Sequence, residues 1–304
     1  VPASRGVRAA EPYVKIWVEG AYRYIESNGL PNHATGSFPN AHNPNTISAQ
    51  TYRYRVAAAP TRNGSVTALG LLPFGVAING IPFDPGAVEY WNNDANSGWR
   101  YEALSPYVQL GMDDNNAHVQ PNGAYHYHGL PTGLVSPQDA ARHSALVGYA
   151  ADGFPVYAKY GYRIATDPAS GVAALASSYR LKTGTRPNGP GGAYDGRFVE
   201  DYEFVVHAGD LDACNGREGI TPDYPKGTYY YVITDAFPFL PRCLVGTMDP
   251  SFLRREGAPM RGPSNMPSPP GRDQQGPPGG PSPNGPRRGP PPPMGRPPPP
   301  RPPQ

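Results

Sequence analysis

The 304-residue chain contains no apolar run approaching the roughly 20 residues that a bilayer-spanning helix needs, so a transmembrane helix is not expected. It has only two cysteines, Cys214 and Cys243, and no closely spaced cysteine pair or His-Glu-x-x-His helix of the kind that marks common zinc motifs. Gly-x-Ser-x-Gly, phosphate-loop and Rossmann fingerprints are all missing, so no nucleophile, paired acid and base, or organic cofactor is identified. The formal net charge is only +2, with no basic stripe interleaved with aromatic residues, which argues against nucleic acid as a partner. Helical periodicity is scarce.

Proline and arginine, by contrast, are concentrated at one end. Residues 257–304 hold 20 of the 42 prolines, six Arg, one Asp and no aromatic side chain. Such a composition cannot bury a core and favours polyproline II, and the lack of a strict glycine period excludes a collagen triple helix. The chain therefore divides into a globular body, residues 1–256, and an extended Pro-rich tail, residues 257–304. The tail carries a net +5 and the body −3. A mobile spacer and a connector that docks on other copies of the protein both fit the tail. The first residue is Val rather than Met, and no charged segment followed by an apolar run precedes the body, which reads as a mature form after loss of a leader.

Within the body, alternation of period two predicts strands. Val14, Ile16 and Val18 alternate with Lys15, Trp17 and Glu19, and Tyr52, Tyr54 and Val56 alternate with Arg53 and Arg55. Further strands are expected over 75–79, 99–104, 124–128, 146–151, 198–207 and 228–234, separated by Gly, Pro and Asn turn signals. The one helix expected covers 137–146, with Ser136 as its cap and Pro137 at its first position. The fold class is mainly β, an antiparallel β-sandwich-like domain with little helix. Most of the 21 tyrosines read as strand residues with an apolar body and a polar tip; a carbohydrate-stacking role is the least supported reading.

Three of the seven histidines, His118, His126 and His128, fall within eleven residues. Pro121, Asn122 and Gly123 between them suit a three-residue hairpin loop. That loop pairs Gln120 with Ala124, His118 with His126 and Asn116 with His128, so three imidazoles converge on one face. Neutral imidazoles are preferred ligands for a transition metal ion, copper or zinc first among them. His33 or His42, in a loop rich in Asn, Gly and Pro, could complete the set, and His33 is favoured.

The run from Asn122 to Gly129, Asn-Gly-Ala-Tyr-His-Tyr-His-Gly, resembles the signature of the YHYH-domain family. Ala151-Asp152-Gly153-Phe154-Pro155-Val156-Tyr157 is similar to that family's second block. Asp210 to Arg217, together with Thr228 and Tyr229, is similar to its third, so the resemblance spans about 75–245. It implies an exported protein and a site at the histidines without naming a reaction. Asp152 either bonds its own backbone or orients a histidine as an outer acceptor. Asp210, Asp212 and Asn215, or Asp113 to Asn116, are oxygen-rich enough for Ca²⁺, though neither has EF-hand spacing.

Cys214 and Cys243 are expected to form a disulfide; the alternative makes Cys214 a nucleophile with His207 as its base. Two functions follow. One is a secreted structural subunit that carries the histidine site and assembles into a fibre through its tail. The other is a monomeric secreted metal-binding domain or metalloenzyme with a spacer tail.

Overall fold

The computed structural model describes residues 10–135 and 137–253; Ser136 and the tail expected over 257–304 lie outside the described residues. The fold is mainly β, antiparallel-rich and curled, with short 3₁₀ turns and one α-helix among the described residues, Thr132–Val135. No helix there is long and apolar enough to cross a membrane.

Strands β1 (Val14–Glu19), β2 (Tyr22–Ser27) and β3 (Tyr52–Ala57) form one antiparallel sheet in that order. An eight-stranded sheet runs Gly216–Gly219, Thr228–Val232, Pro155–Tyr157, Leu146–Ala150, Gly75–Ala77, Pro82–Phe83, Tyr125–Tyr127, Ala117–Val119. All but two of its pairings are antiparallel. The exceptions join Pro155–Tyr157 to Thr228–Val232 and Phe83 to Tyr127. Inner-face side chains of β2 and β3, Ile25, Tyr52, Tyr54 and Val56, share one core with Val76, Phe83, Tyr127 and Tyr231 of the larger sheet and with Phe74 just before it.

Tyrosine is used more deeply than a half-buried strand residue would be. Tyr125, Tyr127, Tyr157, Tyr230 and Tyr231 are fully buried, and each hydroxyl has a partner. Tyr125 donates to Asp113 at 2.6 Å, Tyr157 to Asp223 at 2.9 Å and Tyr231 to Asp152 at 2.6 Å. A buried hydroxyl left unpaired would cost about 1–3 kcal/mol, so the acidic residues are placed where the phenols end. Cys214 and Cys243 are joined by a disulfide, which ties the loop before Gly216–Gly219 to the short strand Cys243–Leu244. Neither thiol is therefore a nucleophile, and His207 sits in a left-handed turn with φ of 62°.

Three expected elements differ. Residues 137–146 do not form a helix: Asp139 accepts from Ala141 N–H at 2.9 Å in a turn, and the strand Leu146–Ala150 follows. Residues 139–142 are all exposed, and a ten-residue segment with no apolar stripe to bury does not stay helical in water. Residues 99–104 contribute only single bridges, Tyr90 with Arg100 and Tyr101 with Phe198, because the chain turns where Ser105 N–H reaches the Glu102 carbonyl. The expected strand over 198–207 is reduced to Tyr202–Phe204. Asp201, fully buried, bends the preceding residues by accepting from Gly196 N–H, Phe198 N–H and the Arg186 guanidinium.

Candidate metal centre

The hairpin that carries the histidines has the register its loop predicts. Ala117 pairs with Tyr127, His118 with His126 and Val119 with Tyr125. Gln120 and Ala124 close the loop through a 2.9 Å backbone bond, and His128 N–H reaches the Asn116 carbonyl at 2.7 Å. Gly123 has φ of +87°, and a Cβ there would lie 1.9 Å from Ser48 Oγ, so this turn requires glycine on both counts. Asn43 and Asn45 each donate a side-chain amide to the Val119 carbonyl, at 3.0 and 2.8 Å, which fixes the 40–45 loop against the hairpin.

Alternation along Tyr125-His126-Tyr127-His128 then sorts the side chains. The two tyrosines enter the main core, and the two histidines face His118 on the other side. His126 and His128 are buried, and His118 is partly buried. Ring centroids lie 4.6 Å apart for His118 and His126, 4.9 Å for His118 and His128, and 4.8 Å for His126 and His128.

Hydrogen bonding decides which nitrogens point inward. His118 Nδ1 lies 2.8 Å from the Leu110 carbonyl and His126 Nδ1 lies 3.3 Å from the Ala124 carbonyl. A carbonyl can only accept, so both Nδ1 atoms carry the proton and both Nε2 atoms present a lone pair. His128 Nε2 sits 2.9 Å from His126 Nε2 and 3.2 Å from His118 Nε2, and its Nδ1 has no partner among the described residues. A neutral ring has one proton, so His128 can donate to one neighbour at most and leaves a polar atom unsatisfied in either tautomer.

Burial keeps all three imidazoles neutral. It lowers His118 from the ordinary range and, with His118 adding to the effect, brings His126 down to about 3. His128 is driven well below its usual value by burial first and then by His126, His118 and Arg242. The three histidines could hold a metal ion, since one ligand nitrogen from each lies within 4.8 Å of the others. For tetrahedral ligands at about 2.0–2.1 Å, nitrogens sit about 3.3 Å apart, and the two separations from His128 Nε2, 2.9 and 3.2 Å, are close to that.

All three rings line a cavity of about 360 Å³ whose wall also holds Leu71, Asp84, Val88, Glu89 and Leu110. A neighbouring cavity of about 720 Å³ shares Leu71, Asp84, Val88 and His126. Asp84 and Glu89 were not foreseen, because residues 29 to 44 positions from the histidines carry no local signal of their placement. His42 also lines the smaller cavity.

His33, the favoured fourth histidine, is elsewhere. Its Nδ1 meets the Ala34 carbonyl at 2.9 Å, and its Nε2 accepts from Tyr127 O–H at 2.6 Å on the core side of the strand. Both ring nitrogens are thereby committed, and strand alternation keeps Tyr127 on the face opposite His126. Asp152 is not beside a histidine either: its Oδ2 accepts from Tyr231 O–H at 2.6 Å and from Gly246 N–H at 2.9 Å. Asp113 and Asp212 of the oxygen-rich loops are likewise engaged. Asp113 accepts from Asn115 N–H, Tyr125 O–H and Gly36 N–H; Asp212 accepts from Cys214 N–H, Gly216 N–H and Tyr229 O–H.

Neither the curated proteins nor the solved structures contain a significant match to this chain. The family model described as YHYH protein matches residues 53–246, wider at the N-terminal end than the 75–245 of the motif blocks. With the Tyr-His-Tyr-His strand at its centre and more than half of the chain matched, the protein belongs to the YHYH family.

Proposed function

We propose that this is an exported domain whose His118, His126 and His128 bind one transition metal ion, copper or zinc, through their Nε2 atoms. The carrying observation is that two Nδ1–H groups are tied to backbone carbonyls while three Nε2 atoms turn toward one another in a cavity wall. This is how metal-ligating histidines are oriented: the outer nitrogen is held so that the inner one is free to ligate. An all-nitrogen, neutral donor set suits zinc or copper better than calcium, which takes oxygen ligands. With three protein ligands and an adjoining cavity, the set leaves a coordination position for water or a small ligand; a metal there would supply Lewis acidity. The disulfide fits an oxidising, extracellular setting.

The tail supports a second role. Its net +5 against a body of −3 favours docking on other copies, and a chain of such contacts that does not close on itself would make a fibre. In that reading the domain is a structural subunit carrying a metal, and in its absence a monomeric metal-binding domain or metalloenzyme.

The test is metal analysis and calorimetric titration of the full-length chain with zinc and with copper. About one ion per chain is expected, lost in His126→Ala and His128→Ala. Unchanged stoichiometry and affinity in both variants would make the cluster structural.

A further inference from the structure

The two outer edges of the three-stranded sheet differ. On β3, Arg55 N–H donates to Ser251 Oγ at 3.0 Å and its carbonyl accepts from the same hydroxyl at 3.2 Å, so that edge is covered. Among the described residues, β1 pairs with β2 alone. Asn28 N–H reaches the Tyr13 carbonyl at 3.1 Å, one step beyond the pairing of Val14 with Ser27. Main-chain groups alternate along an antiparallel strand, so odd-numbered residues of β1 face β2, and Val14, Ile16 and Val18 turn theirs to the open side. The same strand leaves apolar side chains uncovered: Ile16 is 38% exposed and Val18 57%. A strand with free main-chain groups and bare apolar residues is a template for another strand.

We propose that β1 is a docking edge for β1 of a second copy of this chain, antiparallel and centred on Trp17. The sequence Val14-Lys15-Ile16-Trp17-Val18-Glu19 is self-complementary about that centre. Lys15 then lies opposite Glu19 of the second copy, twice over, and Ile16 lies opposite Val18 of the second copy. Backbone parity agrees, because only even-numbered residues can exchange hydrogen bonds across this edge. Ile16 and Val18 make the hydrogen-bonded pairs, while Trp17 faces Trp17 of the second copy in a non-bonded pair. Centring on Ile16 or Val18 also satisfies parity but sets Lys15 against Trp17, or Trp17 against Glu19, and pairs no opposite charges. The Trp17-centred register is the one that gains from charge. It also fuses two three-stranded sheets into six strands and brings together the aromatic pairs formed by Trp17 stacked on Tyr24 at 5.2 Å.

Sedimentation equilibrium of the full-length chain tests the contact. A reversible dimer is expected, with a dissociation constant raised about tenfold or more by Glu19→Lys and by Lys15→Glu, and brought back within a few-fold of the original by the double exchange. Because Lys15 also faces Glu26 on β2, Glu19→Lys is the cleaner single change, and thermal melting should show it folded. Trp17→Cys should form an intermolecular disulfide on mild oxidation, since the register puts the two positions face to face. A chain that stays monomeric at high concentration, or a dimer that Glu19→Lys leaves intact, overturns the proposal; association of the latter kind would belong to the tail.

Discussion

His126 Nε2 and His128 Nε2 approach to 2.9 Å, while His126 Nδ1 is bound to a backbone carbonyl and His128 Nδ1 has no partner among the described residues. Two buried neutral rings set this way gain less from each other than either would from a shared cation. Function and stability therefore pull in opposite directions at His128.

Replacing His128 by Leu should separate them. In chelator-treated protein, His128→Leu removes a buried polar atom that lacks a partner and also the one hydrogen bond His128 Nε2 can give a neighbouring ring; each effect is worth about 1–3 kcal/mol and they oppose, so stability should be nearly unchanged. Metal binding should be lost in the same variant. Denaturant unfolding beside a metal titration reads both, and a clear loss of metal-free stability would assign His128 a structural role.

Acid should act on the metal-free protein through the same rings. In the unfolded chain each histidine titrates near about 6.5. In the fold, burial holds His126 at about 3 and His128 well below its ordinary value. Between those limits the unfolded state binds more protons, so stability should fall as pH drops below about 6.5 and continue falling toward the folded values. Above about 6.5 both states are neutral and these groups contribute no slope. Melting temperatures of metal-free protein from pH 8 to 4 should show the decline, lessened in His128→Leu; a flat profile would contradict it. Bound metal, which needs the same neutral rings, should shift the decline to lower pH.

Tyr231→Phe should destabilise the body by about 1–3 kcal/mol without altering metal affinity. Tyr231 donates to Asp152, a buried carboxyl whose pKa burial already raises, and the variant deprives it of its shortest hydrogen bond. A change in metal affinity with stability preserved would instead tie Asp152 to the histidines.

Removal of residues after 256 should abolish any fibre formation while leaving the body folded and able to bind metal. Light scattering and negative-stain imaging of full-length and shortened protein decide this. Assembly of the full-length chain should weaken with salt if the +5 tail meets the −3 body. A fibre that persists after truncation would remove the tail from the assembly.

The hairpin was legible in advance because its information is local. Pro121-Asn122-Gly123 specifies the turn, the turn fixes register, and period two places Tyr125 and Tyr127 on one face with His126 and His128 on the other. The disulfide was legible for a similar reason, since only two cysteines were present to pair. The absent helix over 137–146 shows where local preference fails: its cap and first turn were suitable, but the fold offered no surface for it to bury.

What only the tertiary structure decided is the surroundings of each side chain. His33 and Asp152 carry suitable chemistry, yet Tyr127 and Tyr231 claim them from strands 94 and 79 residues away. Asp84 and Glu89 reach the cavity because Pro82–Phe83 pairs beside Tyr125–Tyr127 and carries the following loop past the histidines. Sequence by itself determined the strand that carries the site, through alternation and turn chemistry within a dozen residues. The contents of the cavity depended on pairings between strands far apart in the chain, where contact follows from packing and no local pattern records it.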